Sequence, residues 1–386
     1  MARDFDLIVY GATGYTGRLV AEYIARAYPA GVRWAMAGRS LTKLEEVRAE
    51  LGLAAAVPLL TANADDPASL RAMCARASVI ISTVGPYQLY GSDLVAACAA
   101  TGTAYVDLCG EPAWMRRMID AHQEEAKATG ARIVFSCGFD SIPFDLGVLT
   151  LQEAAVKRFG APAPRVKCRV RVMKGGFSGG TAASLKATVA AAAKDPSLVP
   201  LLTSAFALTP GHTGPRQPAG LLPEFDTTIN AWVAPFVMAP INTKNVHRTN
   251  FLLGQRYGSD FVYDEMVVAG LGDIGKAAAE ALAKLNPLAG DKGPKPGEGP
   301  TREEREAGHY DVLFVGLMPD GGRLEAVVTG DRDPGYGSTS KMLAESALCL
   351  IENVQGDGGI WTPGALMGPE LRERLVKNAG LTFTAG

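Results

Sequence analysis

The first third of the chain alternates short apolar runs with amphipathic stretches. The apolar runs lack polar alternation and are rich in β-branched and aromatic residues, which predicts strands buried on both faces. These runs occupy residues 4–11, 32–38, 56–62, 78–85, 104–110 and 131–138. The stretches between them carry apolar residues at helical spacing, and the connections are short. The alternation predicts an α/β fold, a parallel, doubly wound sheet covered by helices.

The pattern changes beyond residue 140. Residues 165–175 alternate basic and apolar side chains, as a half-exposed strand does. Further strand-like runs occupy residues 246–254, 261–270 and 309–330. The last of them predicts a hairpin across Asp320-Gly321-Gly322. We therefore predict one domain over residues 1–140 and an α+β second domain with an antiparallel sheet over residues 141–337.

Two later segments complete this outline. Residues 286–308 are rich in proline, glycine and charge, which predicts a mobile loop that could serve as a lid. Residues 338–352 carry the pattern of a strongly amphipathic helix.

Composition excludes several classes of protein. The 386 residues carry a net charge of −2, so no broad basic field suggests nucleic acid as a partner. No apolar run approaches the roughly 20 residues of a membrane-spanning helix, and we expect no secretory signal because the residues before Gly11 include no long apolar run. Six scattered cysteines predict free thiols in a reducing cytoplasm, and four dispersed histidines offer no metal-ligand spacing. We expect a cytoplasmic protein without a bound metal.

The segment "VYGATGYTGR", residues 9–18, holds the first candidate site. Glycine makes up 44 of the 386 residues, so three glycines at this spacing are a weak signal alone. Here, however, a strand precedes them, a helix begins within them and a second strand follows by residue 38. Gly11 permits the tight turn, Gly14 lets the backbone approach a diphosphate, and Gly17 lets the helix pack closely on the strand. The alternative is a turn that binds no ligand.

A dinucleotide at this turn would meet the free N–H groups of the helix N-terminus, and threonine hydroxyls could add donors. The cofactor-binding residues predicted here are Gly11, Ala12, Thr13, Gly14, Tyr15, Thr16 and Gly17.

A second motif, "GLGDIG" at residues 270–275, matches G-x-G-x-x-G literally. It follows a strand-like run and leads into a helical one, but no second strand follows to complete a βαβ unit. We predict a tight strand-to-helix turn without a ligand there.

The end of the second strand indicates which nicotinamide cofactor is preferred. An NAD site usually places an acid there, whereas this chain reads "AGRSLTK". Arg39 can pair with a 2′-phosphate, Ser40 can donate a hydrogen bond, and Lys43 lies one helical turn on. These residues predict NADP(H); the alternative is a solvated Arg39. Asp65, after the third strand, could contact the adenine amino group or cap the next helix.

Ligands of such sheets bind beyond the carboxyl ends of the strands. The loops after the fourth, fifth and sixth strands read "STVGPYQLYG", "DLCGEP" and "CGFDSIPFDLG". The cofactor-binding residues expected on them are Thr83, Val84, Gly85, Cys109 and Gly138.

Together "GATGYTG", "AGRS", "VGPY", "CGFDSIPFDLG", the mid-chain "SGGT" and the late "DPGYGSTSKMLAE" resemble the saccharopine dehydrogenase-like oxidoreductases. The chain is most similar to their trans-acting enoyl reductase branch. This resemblance implies an NADP-binding Rossmann domain, a substrate domain on an antiparallel sheet, and a C-terminal helix region, about 338–386, that returns to the first domain. It also implies reduction of a C=C bond in lipid or polyketide assembly.

Such chemistry needs a hydrogen-bond donor for the developing enolate and a proton for the α-carbon. Tyr87 is the first candidate, and Asp140 and Ser141 are the next; the alternatives are a packed loop aromatic and a helix cap. No Y-x-x-x-K spacing supports the short-chain dehydrogenase mechanism.

Three functional hypotheses remain open. The leading one is an NADPH-dependent reductase of an α,β-unsaturated acyl or lipid-like small molecule, with a homodimer as one arrangement. A saccharopine-type imine or amino-acid reductase would need converging arginines. Arg165, Arg169 and Arg171 share one strand and could supply them; the alternative is a solvated strand face. The third is a catalytically silent cofactor-binding, lipid-associated protein.

Overall fold

A computed structural model of the chain describes residues 3–175, 179–285 and 297–386. Most of the expected mobile loop, residues 286–296, and Ser178 of the "SGGT" motif lie outside the described residues. No helix within the described residues is long and apolar enough to cross a membrane.

The first part of the chain alternates strands and helices as predicted. Its elements are β1 (Phe5–Tyr10), α1 (Tyr15–Ala27), β2 (Trp34–Gly38), α2 (Leu41–Glu50), β3 (Leu59–Thr61), α3 (Pro67–Cys74), β4 (Ala77–Ser82), α4 (Tyr87–Tyr90), α5 (Ser92–Thr101), β5 (Ala104–Asp107), α6 (Pro112–Thr129) and β6 (Arg132–Val134).

The remaining elements build a second layer and then return to the first. They are α7 (Ile142–Phe159), β7 (Arg165–Lys174), α8 (Gly179–Lys194), a short 3-10 helix (Pro196–Leu198), α9 (Val199–Thr203), β8 (Glu224–Asp226), β9 (Ala231–Pro235), α10 (Ala239–Leu252), β10 (Val262–Gly270), α11 (Gly272–Lys284), α12 (Arg302–Ala307), β11 (His309–Leu317), β12 (Arg323–Gly330), a π-helical turn (Pro334–Ser338), α13 (Thr339–Glu352), β13 (Gly359–Trp361), α14 (Pro363–Leu366), α15 (Gly368–Arg374), a second π-helical turn (Leu375–Ala379) and β14 (Leu381–Ala385).

The first sheet has the strand order β13-β6-β5-β4-β1-β2-β3, and its strands pair in parallel. The predicted parallel, doubly wound sheet is therefore confirmed. Chain connections run outward in opposite directions from β1 and β4, which pair from Phe5 with Ala77 to Tyr10 with Ser82. This reversal opens a crevice at the carboxyl ends of the two strands, where such sheets bind their ligands.

The second sheet has the order β14-β12-β11-β7-β10-β9-β8. Its pairs are antiparallel except for β7 with β10. The predicted hairpin is confirmed, with the N–H of Met318 donating to the carbonyl of Gly322 at 2.8 Å. The strand predicted at residues 246–254 is wrong, because these residues form the end of α10. The run resembles a strand in sequence, but consecutive residues from Lys244 to Asn250, all polar except Val246, are buried in the helix.

The arginines of β7 do not form one solvated face, which corrects the expectation for them: Arg169 is buried and Arg165 is half-buried, whereas Arg171 is exposed. Arg169 is fully buried and bridges Asp226 of β8 at 2.6 Å and Asp264 of β10 at 2.7 Å. Arg165 also pairs with Asp264, and Arg171 pairs with Asp311 at the sheet surface. Burial is possible because two carboxylates neutralise the guanidinium and accept hydrogen bonds from Nε and Nη1, while Nη2 has no partner within the described residues.

The C-terminal region contacts both sheets. Helix α13 packs against α1, β4 and β5, and β13 adds a strand beside β6, whereas β14 pairs with β12 in the second sheet. Helix α7 packs against β11 and β12, where Gly147 lies under the ring of Phe314. One apolar core therefore runs through the helices between the sheets. A domain boundary near residue 140 stays a prediction.

Candidate dinucleotide and substrate site

The glycine-rich turn has the backbone that its sequence demands. Gly11 adopts a φ of +89°, which L-residues rarely adopt, and a Cβ there would lie 2.6 Å from Oγ1 of Thr83. A Cβ on Gly17 would overlap the carbonyl of Gly11, so α1 packs directly on the turn. Gly14 precedes the first helical residue and provides no side-chain cap. The first N–H groups of α1 are therefore left for a ligand.

The start of α1 also carries no opposing charge. No acidic residue lies in its first turn, where Thr13, Tyr15 and Thr16 are only half-buried. An anion at this end would gain from the helix dipole without repulsion from a neighbouring carboxylate.

Tyr15 joins the turn to the chain that precedes β11. Its hydroxyl donates to the carbonyl of Pro300 and accepts from Arg305 at 2.9 Å, and its ring meets the edge of Tyr336 at 5.1 Å. Gly299 packs against the same ring. Of the expected loop 286–308, the described end is thus held against the glycine turn.

The residues predicted to select the cofactor surround the ends of β2 and β3. Arg39 and Lys43 are exposed, and Ser40 caps α2 by accepting the N–H of Lys43 at 3.4 Å. Asp65 is exposed too, and it is Asp66 that caps α3. The capping role considered for Asp65 therefore belongs to its neighbour. Arg39 and Asp65 both act on the phenol of Tyr10, which places them at the same edge of the sheet.

The loop after β4 begins on the glycine turn. Thr83 donates from Oγ1 toward the carbonyls of Tyr10 and Gly11, both at 3.2 Å, and Val84 packs on Gly11. Gly85 is exposed, and α8 of the second layer approaches it through Ser184. These residues lie where a nicotinamide would enter the crevice.

Tyr87 does not have the arrangement of a proton donor. Its phenol is buried, donates to the carbonyl of Ser82 at 3.1 Å and stacks on Trp114 at 5.5 Å. Burial raises the pKa of this phenol well above its ordinary value. Glu111 fixes the loop by accepting the N–H groups of Tyr87 at 2.9 Å and Gln88 at 2.8 Å. The structure favours the alternative considered for Tyr87, a packed aromatic that shapes the loop.

Asp107, at the end of β5, ties together the loops after β5 and β6. Its carboxylate accepts the N–H groups of Cys109 at 3.0 Å and Ser136 at 2.8 Å, and the Tyr105 hydroxyl at 2.9 Å. Burial raises the pKa of Asp107 to about 7 despite these donors. Cys109 is buried in this network, where burial raises the pKa of its thiol and its sulfur accepts the N–H of Glu111 at 3.3 Å; a contact of Cys109 with the cofactor stays a prediction.

The loop after β6 presents the remaining candidates. Gly138 packs against Thr339, whose Oγ1 accepts the N–H of Phe139 at 3.0 Å. Asp140 is half-buried, and burial raises the pKa of its carboxyl group to about 7 with no hydrogen bond from the described residues to offset it. Ser141 is buried and donates to the carbonyl of Asp140 at 2.5 Å. Asp140 is thus a carboxyl group that can hold a proton near neutral pH.

Helix α10 adds residues to this loop that the sequence did not single out. Asn245 donates from Nδ2 to Oγ of Ser141. Asn242, one turn earlier, donates to Oε2 of Glu265 on β10 at 2.9 Å, and Tyr263 donates to Oε1 at 2.8 Å. Burial raises the pKa of Glu265 well above its ordinary value, and the nearby charge of Asp140 adds to that rise.

One sequence feature could have indicated these residues. In α10 the polar side chains follow one another, and the helix has no apolar face. All but one of the buried positions of α10 are polar. Buried polar groups need hydrogen-bond partners, so a polar helix that is buried marks a place where such partners must be found.

The second glycine motif closes as a turn between β10 and α11. A Cβ on Gly275 would overlap the carbonyl of Gly270, as at the first turn, but Asp273 lies in the first turn of α11. Its flanking strand β9 is antiparallel to β10.

The residues at the first turn fit a dinucleotide. A Cβ at Gly11 would overlap the loop after β4, and a Cβ at Gly17 would overlap the carbonyl of Gly11, so the close packing of this turn requires glycine. The uncapped N-terminus of α1 offers N–H donors to a diphosphate. Arg39 and Lys43, without an acid at that strand end, suit an additional ribose phosphate.

Comparison with known proteins agrees with this fit. Residues 7–134 match the family model described as the saccharopine dehydrogenase NADP binding domain. A Mycobacterium tuberculosis protein, provisionally named a trans-acting enoyl reductase, is 42% identical over 97% of this chain and 96% of its own length. A trans-acting enoyl reductase of Mycobacterium bovis is 37% identical over the same shares. The solved saccharopine dehydrogenase (L-Glu forming) of Saccharomyces cerevisiae covers 99% of both chains with a TM-score of 0.56 at 11% identity, which shows a shared fold.

Proposed function

Because this chain belongs to the saccharopine dehydrogenase-like oxidoreductases, in the branch of the trans-acting enoyl reductases, it is an NADP-dependent oxidoreductase, and we propose that it reduces the C=C bond of an α,β-unsaturated acyl or lipid-like substrate. One observation supports this reaction above others. The glycine turn and a carboxyl group with a pKa of about 7, Asp140, lie at the carboxyl edge of one parallel sheet.

NADPH, when bound, supplies the hydride. In this proposal the first N–H groups of α1 bind the diphosphate, and Arg39 with Lys43 binds the 2′-phosphate. Thr83, Val84 and Gly85 border the nicotinamide end of the crevice.

Asp140 supplies the proton in this proposal. Hydride addition to the β-carbon of an activated alkene leaves an enolate, whose one negative charge is shared by the carbonyl oxygen and the α-carbon, and the α-carbon must then be protonated. A neutral carboxyl group at the crevice can give that proton and become a carboxylate. Ser141 and Asn245 position Asp140, because their hydrogen bonds hold its backbone in place.

A saccharopine-type substrate, rich in carboxylates, finds less support. Such a substrate needs arginines with unpaired guanidinium groups. Arg165 and Arg169 are instead engaged by Asp226 and Asp264. Arg216 is exposed, and no described carboxylate-binding cluster forms around it.

The test is turnover. Purified protein with NADPH is offered ethyl thioesters of trans-2-enoic acids, prenyl-type enones, and 2-oxo acids with ammonia or amines. We expect NADPH oxidation with enoyl compounds and a product two hydrogens heavier by mass spectrometry. Turnover of oxo acid and amine alone would support the imine reductase. NADPH binding without any turnover would support the silent cofactor-binding protein.

A further inference from the structure

Two buried amide oxygens on α10 have no hydrogen-bond partner within the described residues. They are Oδ1 of Asn242 and Oδ1 of Asn245, whose side chains are 0% and 1% exposed. Residues three apart lie on one face of a helix, so the two oxygens belong to one surface. Proteins rarely keep such atoms, because each loses its water on folding without gaining a donor.

The neighbouring donors are already used. Nδ2 of Asn242 donates to Glu265, and the Tyr263 hydroxyl donates to the same carboxyl group. Nδ2 of Asn245 donates to Ser141, which in turn donates to the carbonyl of Asp140. Within the described residues, the two amide oxygens are therefore left as acceptors, and the carboxyl group of Asp140 is the neighbouring donor when it is protonated.

One side of this surface contacts the loops of the first sheet, whereas Asn242 contacts Glu265 on β10 of the second sheet. Ser141 follows directly on the loop after β6 and is contacted by Asn245. Ile241, the residue before Asn242, packs on Gly110 of the loop after β5, with Cδ1 at 3.0 Å from the position of a Cβ there. A substrate in the crevice beside Asp140 would therefore lie next to this helix.

We propose that Asn242 and Asn245 form a subsite for a hydrogen-bond donor of the substrate, a hydroxyl or an amide N–H close to the reducible double bond. This inference rests on the proposed function and refines its substrate class. A donor group pairs with the two oxygens, whereas a plain hydrocarbon chain would leave both unpaired. Sites built to bind a hydroxyl discriminate strongly against analogues that lack it.

Matched substrates test the subsite in the NADPH-bound protein. The probes are ethyl thioesters of trans-2-decenoic acid and of its 4-hydroxy and 5-hydroxy derivatives, each hydroxy compound beside its methyl ether. The ether keeps the carbon skeleton but removes the donor. We expect at least one hydroxy probe to exceed its ether in kcat/KM by about tenfold or more.

Variants of one helix provide the control. Asn242→Ala and Asn245→Ala should each reduce the preference for the hydroxy probe toward one. Asn250, on the same helix, is buried but satisfied, since it donates to Gln255 and Gly258 and accepts from Tyr257. Asn250→Ala should lower the melting temperature and leave the preference unchanged.

The outcomes separate this inference from the proposed function. In one outcome the enoyl thioesters turn over, no hydroxy probe is preferred over its ether, and neither Asn242→Ala nor Asn245→Ala changes the relative kcat/KM values. This result overturns the subsite and leaves the reductase; an internal water would then satisfy the oxygens. In another outcome no enoyl probe turns over, but 4-hydroxydecanoate raises the melting temperature of the NADP+-bound protein more than its methyl ether does, and both variants lose this difference. This result supports the subsite and contradicts the reductase.

Discussion

Two glycine turns in this chain join a strand to a helix that packs closely on the turn, yet we assign a dinucleotide to only one. Gly11 and Gly270 both have positive φ angles, +89° and +131°. In both turns the third glycine lets the helix rest on the carbonyl of the first. The second turn matches the literal G-x-G-x-x-G pattern, whereas the first has the spacing G-x-x-G-x-x-G. Glycine spacing therefore specifies close packing of helix on strand, which is necessary for binding but not sufficient.

The surroundings of the two turns differ. β1 lies between two parallel strands, whose carboxyl ends deliver loops to the first turn. β10 lies between β7, which is parallel to it, and β9, which is antiparallel, so the loop of β9 leaves at the opposite edge and only β7 ends at the same edge. The helix after the first turn has no acid in its first turn, but α11 has Asp273 there. An anion is thus favoured at the first turn and opposed at the second.

The largest expected effect comes from the chemistry beside the first turn. Asp140→Asn removes the proposed proton donor and should lower kcat by roughly 100-fold or more, the usual contribution of a general acid. Because the donor is the protonated form and its pKa is about 7, wild-type kcat should fall as pH rises through about 7. The variant should lose that fall in a steady-state NADPH oxidation assay over this range.

Asp145 offers a matched control for this prediction. It is also buried with a pKa of about 7, but its carboxylate accepts the N–H of Gly364 on α14, a hydrogen bond of a kind that the Asp140 carboxyl group lacks within the described residues. Asp145→Asn should keep the pH dependence. If Asp140→Asn retains the wild-type rate and profile, Asp140 is not the donor.

The second prediction tests the close packing of helix on turn that the two glycine turns share. Gly17→Ala places a Cβ against the carbonyl of Gly11, and α1 must move away from the diphosphate position. Overpacking of this kind costs about 1–3 kcal/mol, and we expect the NADPH dissociation constant to rise by about tenfold to 100-fold. Calorimetry on the folded variant measures it.

Gly275→Ala introduces the same clash at the second turn. It should lower the melting temperature to a similar extent and leave NADPH affinity unchanged. Equal losses of affinity in Gly17→Ala and Gly275→Ala would show that binding responds only to general destabilisation.

A smaller effect is expected at the ribose phosphate. Arg39→Ala removes one exposed charge-assisted contact and should weaken NADPH binding by about tenfold while leaving NADH binding unchanged. Arg76, an exposed arginine paired with Asp4 before β4, is the control, and Arg76→Ala should alter neither affinity. An unchanged NADPH to NADH ratio in Arg39→Ala would remove the assignment of this residue.

The smallest effect tests the second turn by itself. Asp273→Asn removes the acid from the first turn of α11 and should destabilise the protein by only about 0.3–1 kcal/mol through the helix dipole. NADPH should still bind at one site per chain with unchanged affinity. A second binding event in calorimetry would show that Asp273 alone had kept the turn empty.

The parts of the fold that the sequence predicted are those in which neighbours in sequence are neighbours in space. The β1–α1–β2 unit is of this kind, and its glycine roles could be predicted residue by residue. Helix α7 was not predicted, because it is buried nearly all round and shows no amphipathic face. The predicted sixth strand ends early at Val134, since Ser136 turns to a φ of +61° and the Asp107 carboxylate accepts its N–H.

The candidate site was predictable only on the side formed by the first sheet. Gly138, Asp140 and Ser141 follow a strand directly, so the topology placed them. Tyr87 was predicted to face the nicotinamide, but its hydroxyl donates to the carbonyl of Ser82 at the end of β4. The orientation of the Tyr87 side chain depends on tertiary packing, which the local sequence does not report. Asn245 reaches Ser141 across 104 positions of sequence, and no local pattern reports such a contact.

The central claim is that the first turn and the end of β2 together bind NADP(H). Isothermal titration calorimetry of the purified chain with NADPH and then with NADH tests it most directly. We predict one NADPH per chain and an affinity at least about tenfold above that for NADH. Absence of heat with both nucleotides at millimolar concentration, or tighter binding of NADH, would contradict the claim.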